Sequence, residues 1–178
     1  MTDHPKIDWS KSSDDTVREI VREAEAFIAA QVQLATAADQ RASVMASVFA
    51  AAGAALVAGL IALVGAEHAD GKVAIYIGGG LAAGLFLVGA ALCVSATLPT
   101  GFDLPGGEPK NWRRDVESGR PVIESLREQA ENYQGKIDDN GGVLRANAKR
   151  FKWGALLGLA APFVGFVVWF LASSCRIG

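Results

Sequence analysis

Apolar residues recur at helical spacing near the start of the chain, at Val17, Ile20, Val21, Ala24, Phe27, Ile28, Leu34, Ala35 and Ala38. A stripe of this period predicts an amphipathic helix over residues 14–42. Ser13 or Asp14 can cap its start, and Thr16 with Glu19 fits a capping box. Asp14, Asp15 and Glu19 also suit the positive end of the helix dipole. Neither Gly nor Pro interrupts residues 14–52, so this helix is expected to run unbroken into the apolar stretch that follows. Residues 1–13 are mostly polar and are expected to form a flexible tail.

The pattern then loses its polar face altogether. Residues 42–66, 73–102 and 153–175 contain no charged side chain. Uncharged apolar runs of about 18 residues or more are read as membrane spans. Three spans are predicted, over residues 43–66, 73–97 and 153–173. The first carries a row of small residues every fourth position, Ser43, Ser47, Ala51, Ala55 and Gly59. The second contains Gly78-Gly79-Gly80 and a Gly80–Gly84 pair. The third repeats that spacing at Gly154 and Gly158. Such rows let helix backbones approach closely in lipid. No Lys-Ser/Thr follows the glycine triplet, so it is not read as a phosphate loop. Pro162 lies in the middle of the third span, where a bend is expected.

Between the second and third spans lies the largest polar segment. Residues 98–120 have the Pro and Gly content of a loop. A second helix is expected over residues 121–152, with Pro121 in its first turn. Its apolar positions, Val122, Ile123, Leu126, Ala130, Tyr133, Ile137, Leu144 and Ala148, are close to heptad spacing. Asn140-Gly141-Gly142 is a run of poor helix formers and predicts a kink or break there. Both polar helices run toward spans, so they are expected to lie side by side as a stalk. The fold class expected is an all-α integral membrane protein with three transmembrane helices and two long cytoplasmic helices.

Charge sets the orientation. Five basic residues precede the first span and ten lie between the second and third, whereas the first hairpin has only Lys72 and the tail only Arg176. The positive-inside rule places the N-terminus and the large polar segment in the cytoplasm, and Cys175 outside. Trp112, Lys149, Arg150, Lys152, Trp153 and Trp169 are the expected anchors at the membrane interfaces.

Composition narrows the function classes further. The chain has 178 residues and a formal net charge of −2, which does not mark a nucleic-acid binder. Two cysteines, Cys93 and Cys175, and two histidines, His4 and His68, leave little material for a metal site. Asp14/Asp15 and Asp138/Asp139 are explained by a helix start and a hydrated helix break. No nucleophile, acid–base pair or cofactor motif is present, so neither an enzyme nor a cofactor is expected. The spans lack the buried ionisable residues of an ion path, which argues against a channel or transporter. The most suggestive polar cluster lies where the first helix meets the membrane. Asp39 and Arg41 there, with Tyr133, Asn140 and Arg145 from the second polar helix, form a candidate latch or ligand contact.

That stretch, Gln33-Leu-Ala-Thr-Ala-Ala-Asp39-Gln-Arg41-Ala-Ser43 with a span directly after it, resembles the Ala-Asp-x-Lys/Arg-Ala segment of Pycsar-type transmembrane effectors. Glu131-Asn-Tyr133, Ile137 and Asn140, followed by basic residues and a last span, are similar to the closing half of such proteins. The resemblance covers residues 19–171. It implies a bacterial inner-membrane protein of antiphage defence that responds to a cytoplasmic nucleotide signal, a cyclic nucleotide among the candidates, and then impairs the membrane. Asp39 and Arg41 match the motif; no ligand residue is carried over. The expected partners are the lipid bilayer, further copies of the chain and that ligand. The alternative expectation is a non-catalytic membrane anchor or assembly protein without a ligand.

Overall fold

The computed structural model describes residues 7–64, 72–98 and 101–174. The expectations for His4, the turn holding His68, Cys175 and Arg176 fall outside those residues. All regular structure among the described residues is helical. Helix α1 spans Asp14–Val64, α2 Lys72–Ala96, α3 Arg113–Ser118 and α4 Val122–Ser174. Short 3-10 turns lie at Trp9–Lys11 and Pro109–Trp112.

Ser13 begins α1: its hydroxyl oxygen accepts from the Thr16 amide at 3.2 Å. The helix then continues for 51 residues, as the absence of Gly and Pro before Gly53 predicts. Two expectations need correction. Residues 7–13 are not a loose tail, because Trp9 packs against the core of the polar helices and its Nε1 donates to Glu131 Oε1 at 3.0 Å. Nor does α4 break at Asn140-Gly141-Gly142; it runs for 53 residues through that run and through Pro162. The loop of residues 98–120 also holds α3. Gly119 ends that helix at φ 68, a left-handed cap that a side chain would oppose.

The chain divides into two compact units. A polar unit is formed by Met1–Ala37 with Pro99–Arg145, and an apolar unit by Ala38–Leu98 with Ala146–Gly178. Helices α1 and α4 each contribute to both.

In the polar unit the two long helix segments run in the same direction: Glu25 meets Tyr133, and further on Gln31 meets Ile137. Their seam buries Val17, Val21, Ile28, Ala130 and Tyr133, with Trp9, Leu126 and Ile137 packed against it. Burial of the valine and isoleucine side chains stabilises by about 1.5–3 kcal/mol each.

The apolar unit is a three-helix arrangement built on small residues. Helices α1, α2 and α4 are long and apolar enough to cross a membrane. Gly78 and Gly89 of α2 face Gly165, Gly154 and Gly158 of α4 so closely that a Cβ at Gly89 would sit 2.9 Å from the Gly154 carbonyl oxygen. A larger residue would force the helices apart. From α1, Phe49 fills the notch over Gly158 and stacks at a tilt on Phe86, with centroids 5.9 Å apart.

Candidate functional site

The polar unit contains a cleft of about 860 Å³ between residues 103–120 and the adjoining face of α4. Three interactions set its shape. Asn140 is fully buried, accepts from the Asp103 amide at 2.8 Å and returns a bond from Nδ2 to the Asp103 carbonyl at 3.0 Å. This reciprocal pair clasps the loop onto α4. Lys136 donates from Nζ to the carbonyls of Leu104 and Gly106, both at 3.3 Å, and lies over the Tyr133 ring. Arg120 sits just after the Gly119 cap and gathers Asp115, Glu124 and Glu128 at 2.7–3.4 Å.

Electrostatics follow from these contacts. Ser125 and then Arg120 hold the Asp115 carboxyl below its ordinary range. Glu128 leads the carboxylates that raise Arg120 further above its already high value. Tyr133 is pushed up to about 12, first by burial and then by Glu25, to which its hydroxyl donates at 2.6 Å. A protonated Tyr133 is therefore a fixed part of the seam at any physiological pH.

The remaining cleft residues are freer. Arg114 is exposed and makes no side-chain hydrogen bond or ion pair among the described residues, although its charge acts on Asp115. Trp112, Asn111 and Asn132 add a ring and two amides to the same lining, whereas Gln129 donates from Nε2 to the Tyr133 hydroxyl. The same lining carries four carboxylates, Asp103, Asp115, Glu128 and Asp139, against three cations, so an anionic small molecule there would depend on the Arg114 guanidinium. Among the described residues no group of His, Cys, Asp and Glu could hold a metal ion.

The residues of the candidate latch are divided between the two units. Asp39 and Arg41 belong to the apolar unit, and Tyr133, Asn140 and Arg145 to the polar unit. Asp39 and Arg41 are two residues apart, on different sides of α1, and no ion pair joins them. Tyr133 and Asn140 direct their polar atoms to Glu25 and Asp103 instead. Arg145 is exposed, with Nη1 3.3 Å from where a Gly141 Cβ would lie.

The small-residue rows also sort out. Gly154 and Gly158 are buried in the contact between helices. Ser47, Ala51, Ala55 and Gly59 on α1 and Gly80 and Gly84 on α2 are exposed, and a Cβ at Gly59, Gly80 or Gly84 would meet open space. The contact rows within the chain are instead Ala42, Ala46, Phe49 and Gly53 on α1, and Gly78, Ala82 and Gly89 on α2. Among the expected anchors, Trp112 lines the polar cleft, whereas Lys149, Arg150, Lys152, Trp153 and Trp169 lie in the apolar unit. Trp169 packs on Phe166 at 5.7 Å.

Sequence reasoning missed the Asn140 clasp. The signal was present: Leu126, Ala130, Tyr133 and Ile137 follow heptad phase, and Asn140 takes the next seam position. A polar residue at a seam position specifies register. Gln31 does the same on α1, three residues beyond Ile28, and donates to the Ile137 carbonyl at 3.0 Å. No known protein family, curated protein or solved structure matches this chain.

Proposed function

We propose that this chain is a small multi-pass effector of the bacterial inner membrane that senses a cytoplasmic signal and then impairs the membrane, in antiphage defence. The observation that carries this reading is the polar cleft with its uncommitted Arg114 beside Trp112. Its volume falls within the range of about 300–1,000 Å³ that suits small-molecule sites. The resemblance to Pycsar-type effectors makes a cyclic nucleotide the ligand to test first. Its phosphodiester suits Arg114, and its base suits the Trp112 face.

In this reading the polar unit stands in the cytoplasm as a stalk, with the N-terminus inside and the C-terminus outside. Two states are required, and the ligand must bind them unequally. Helices α1 and α4 serve both units, so a change in their seam reaches two spans. Copies of the chain associate through the exposed row Ser43, Ser47, Ala51 and Ala55, whose small side chains let backbones meet. No covalent chemistry is assigned to any residue.

A ligand-free anchor is the second reading, and one observation favours it. Arg120 and Lys136, two of the three cations on the cleft, are already committed to carboxylates and loop carbonyls. The readings separate in a thermal-unfolding assay of the full chain in detergent, with each common cyclic nucleotide added in turn. The effector reading expects one nucleotide to raise the midpoint and Arg114→Ala and Trp112→Ala to abolish the shift. No shift with any nucleotide, or a shift undiminished in both variants, would overturn the assignment of the cleft.

A further inference from the structure

In the apolar unit, one end of the helix segments carries several basic residues. Arg41, Lys149, Arg150 and Lys152 lie near that end, and Asp39 is the acidic residue beside them. Phe151 packs on the cluster of Ala46, Phe49, Ala90 and Cys93, which puts the neighbouring turns of α1, α2 and α4 at one level. Arg150 is committed there. Its Nη1 donates to the Ser95 carbonyl in the last turn of α2 at 3.4 Å and to Asn147 Oδ1 at 3.2 Å. Arg41, Lys149 and Lys152 are exposed and make no ion pair among the described residues. On α4, no Asp or Glu occurs after Asp139.

The helix phase adds a second observation. Lys149 and Lys152 are three residues apart and share a face. Continuing along that face come Leu156, Leu159, Phe163 and Phe170, all exposed. One surface of α4 therefore presents two unpaired ammonium groups and then an apolar stripe with no polar interruption at those positions. Trp153, also exposed, sits at the change from one to the other. A free phosphate would use only the lysines. A molecule with an anionic head and an apolar tail matches both parts.

We infer that this face of α4, with Arg41 nearby on α1, selects anionic phospholipids from the surrounding bilayer. The inference rests on the membrane-embedded reading. The lysine stems lie along apolar surface while their ammonium groups reach the phosphate level. A cation at an anionic surface is worth about fivefold in affinity, so the two lysines together set a ceiling of roughly 25-fold.

The test uses the full chain released from a bilayer of equimolar phosphatidylglycerol and phosphatidylcholine, with retained lipid counted by native mass spectrometry. The wild type is expected to retain the anionic lipid preferentially. Lys149→Gln with Lys152→Gln should reduce that preference by up to about 25-fold, and Lys11→Gln, in the polar unit, should not change it. Raising the salt should erode the wild-type preference, a readout that needs no variant. Equal retention of both lipids, or a preference unchanged in the double variant, overturns the inference. Displacement by inorganic phosphate at matched charge overturns the lipid as occupant. Release of the protein from membranes by alkaline carbonate would instead overturn the embedding itself.

Discussion

Asn140→Ala separates two opposed accounts of α4. In local propensity terms Asn is a poor helix former, and Ala would stabilise the helix by up to about 0.7 kcal/mol. In the structure the Asn140 amide is fully buried and makes two hydrogen bonds with the Asp103 backbone. Each such bond contributes about 1 kcal/mol net, so their loss costs about 2 kcal/mol. Removing the amide from a closed site adds about 1 kcal/mol more for lost packing. Water can reach the half-buried Asp103 and rescue its backbone groups in part. The balance is a destabilisation of the loop contact by about 2 kcal/mol. Hydrogen exchange of the full chain in detergent reads this directly, because the Asp103 amide is one of the two bonded groups. Its exchange should quicken about thirtyfold in the variant, which is 2 kcal/mol expressed as an opening equilibrium. Unchanged or slower exchange at residues 101–107, with equal or higher helix stability, would refute the clasp and restore the reading of a weak point.

Three further predictions concern packing, pH and orientation. Gly158→Ala drives a methyl into the Phe49 ring and should cost about 1–3 kcal/mol, partly recovered by adding Phe49→Ala, whereas Gly84→Ala enters open space and should be nearly silent in thermal unfolding. Tyr133 keeps its proton up to about 12 in the folded chain but only to about 10 when unfolded. The stability it contributes is therefore complete below pH ~10 and is lost as the pH rises from there toward the folded value, and Tyr133→Phe should remove that alkaline dependence. A membrane-impermeant thiol reagent should label Cys175 in intact spheroplasts and leave the buried Cys93 untouched; labelling of Cys175 only after lysis would invert the orientation.

How much was legible in the sequence depended on whether the deciding contacts were local. The three apolar helices follow from charge-free runs, and the continuity of α1 follows from its lack of Gly and Pro before Gly53. The polar seam was legible because Val17, Val21 and Ile28 on one helix, and Ala130, Tyr133 and Ile137 on the other, contrast with charged neighbours. Trp9 was not, since its partner Glu131 is 122 residues away and one aromatic in a polar stretch carries no period. Asn140 was misread for the same reason: Asp103 lies 37 residues back, while two glycines directly follow. In the spans the obstacle was lack of contrast. Small residues cover several sides of α1 and α2, so periodicity could not choose Gly78 and Gly89 over Gly80 and Gly84. The choice is made by where the α4 backbone comes close, at Gly165 and Trp169 beside Gly78 and at Gly154 and Gly158 beside Gly89.

We propose that a ligand in the polar unit controls what the apolar unit does to a membrane. The most direct measurement follows membrane potential in bacterial cells expressing the full chain at a fixed level while a co-expressed cyclase supplies one cyclic nucleotide at a time. Depolarisation is expected with one nucleotide only, none without a cyclase, and none with Arg114→Ala at equal expression. A potential that is unchanged with every nucleotide, or that collapses equally with and without one, would contradict it.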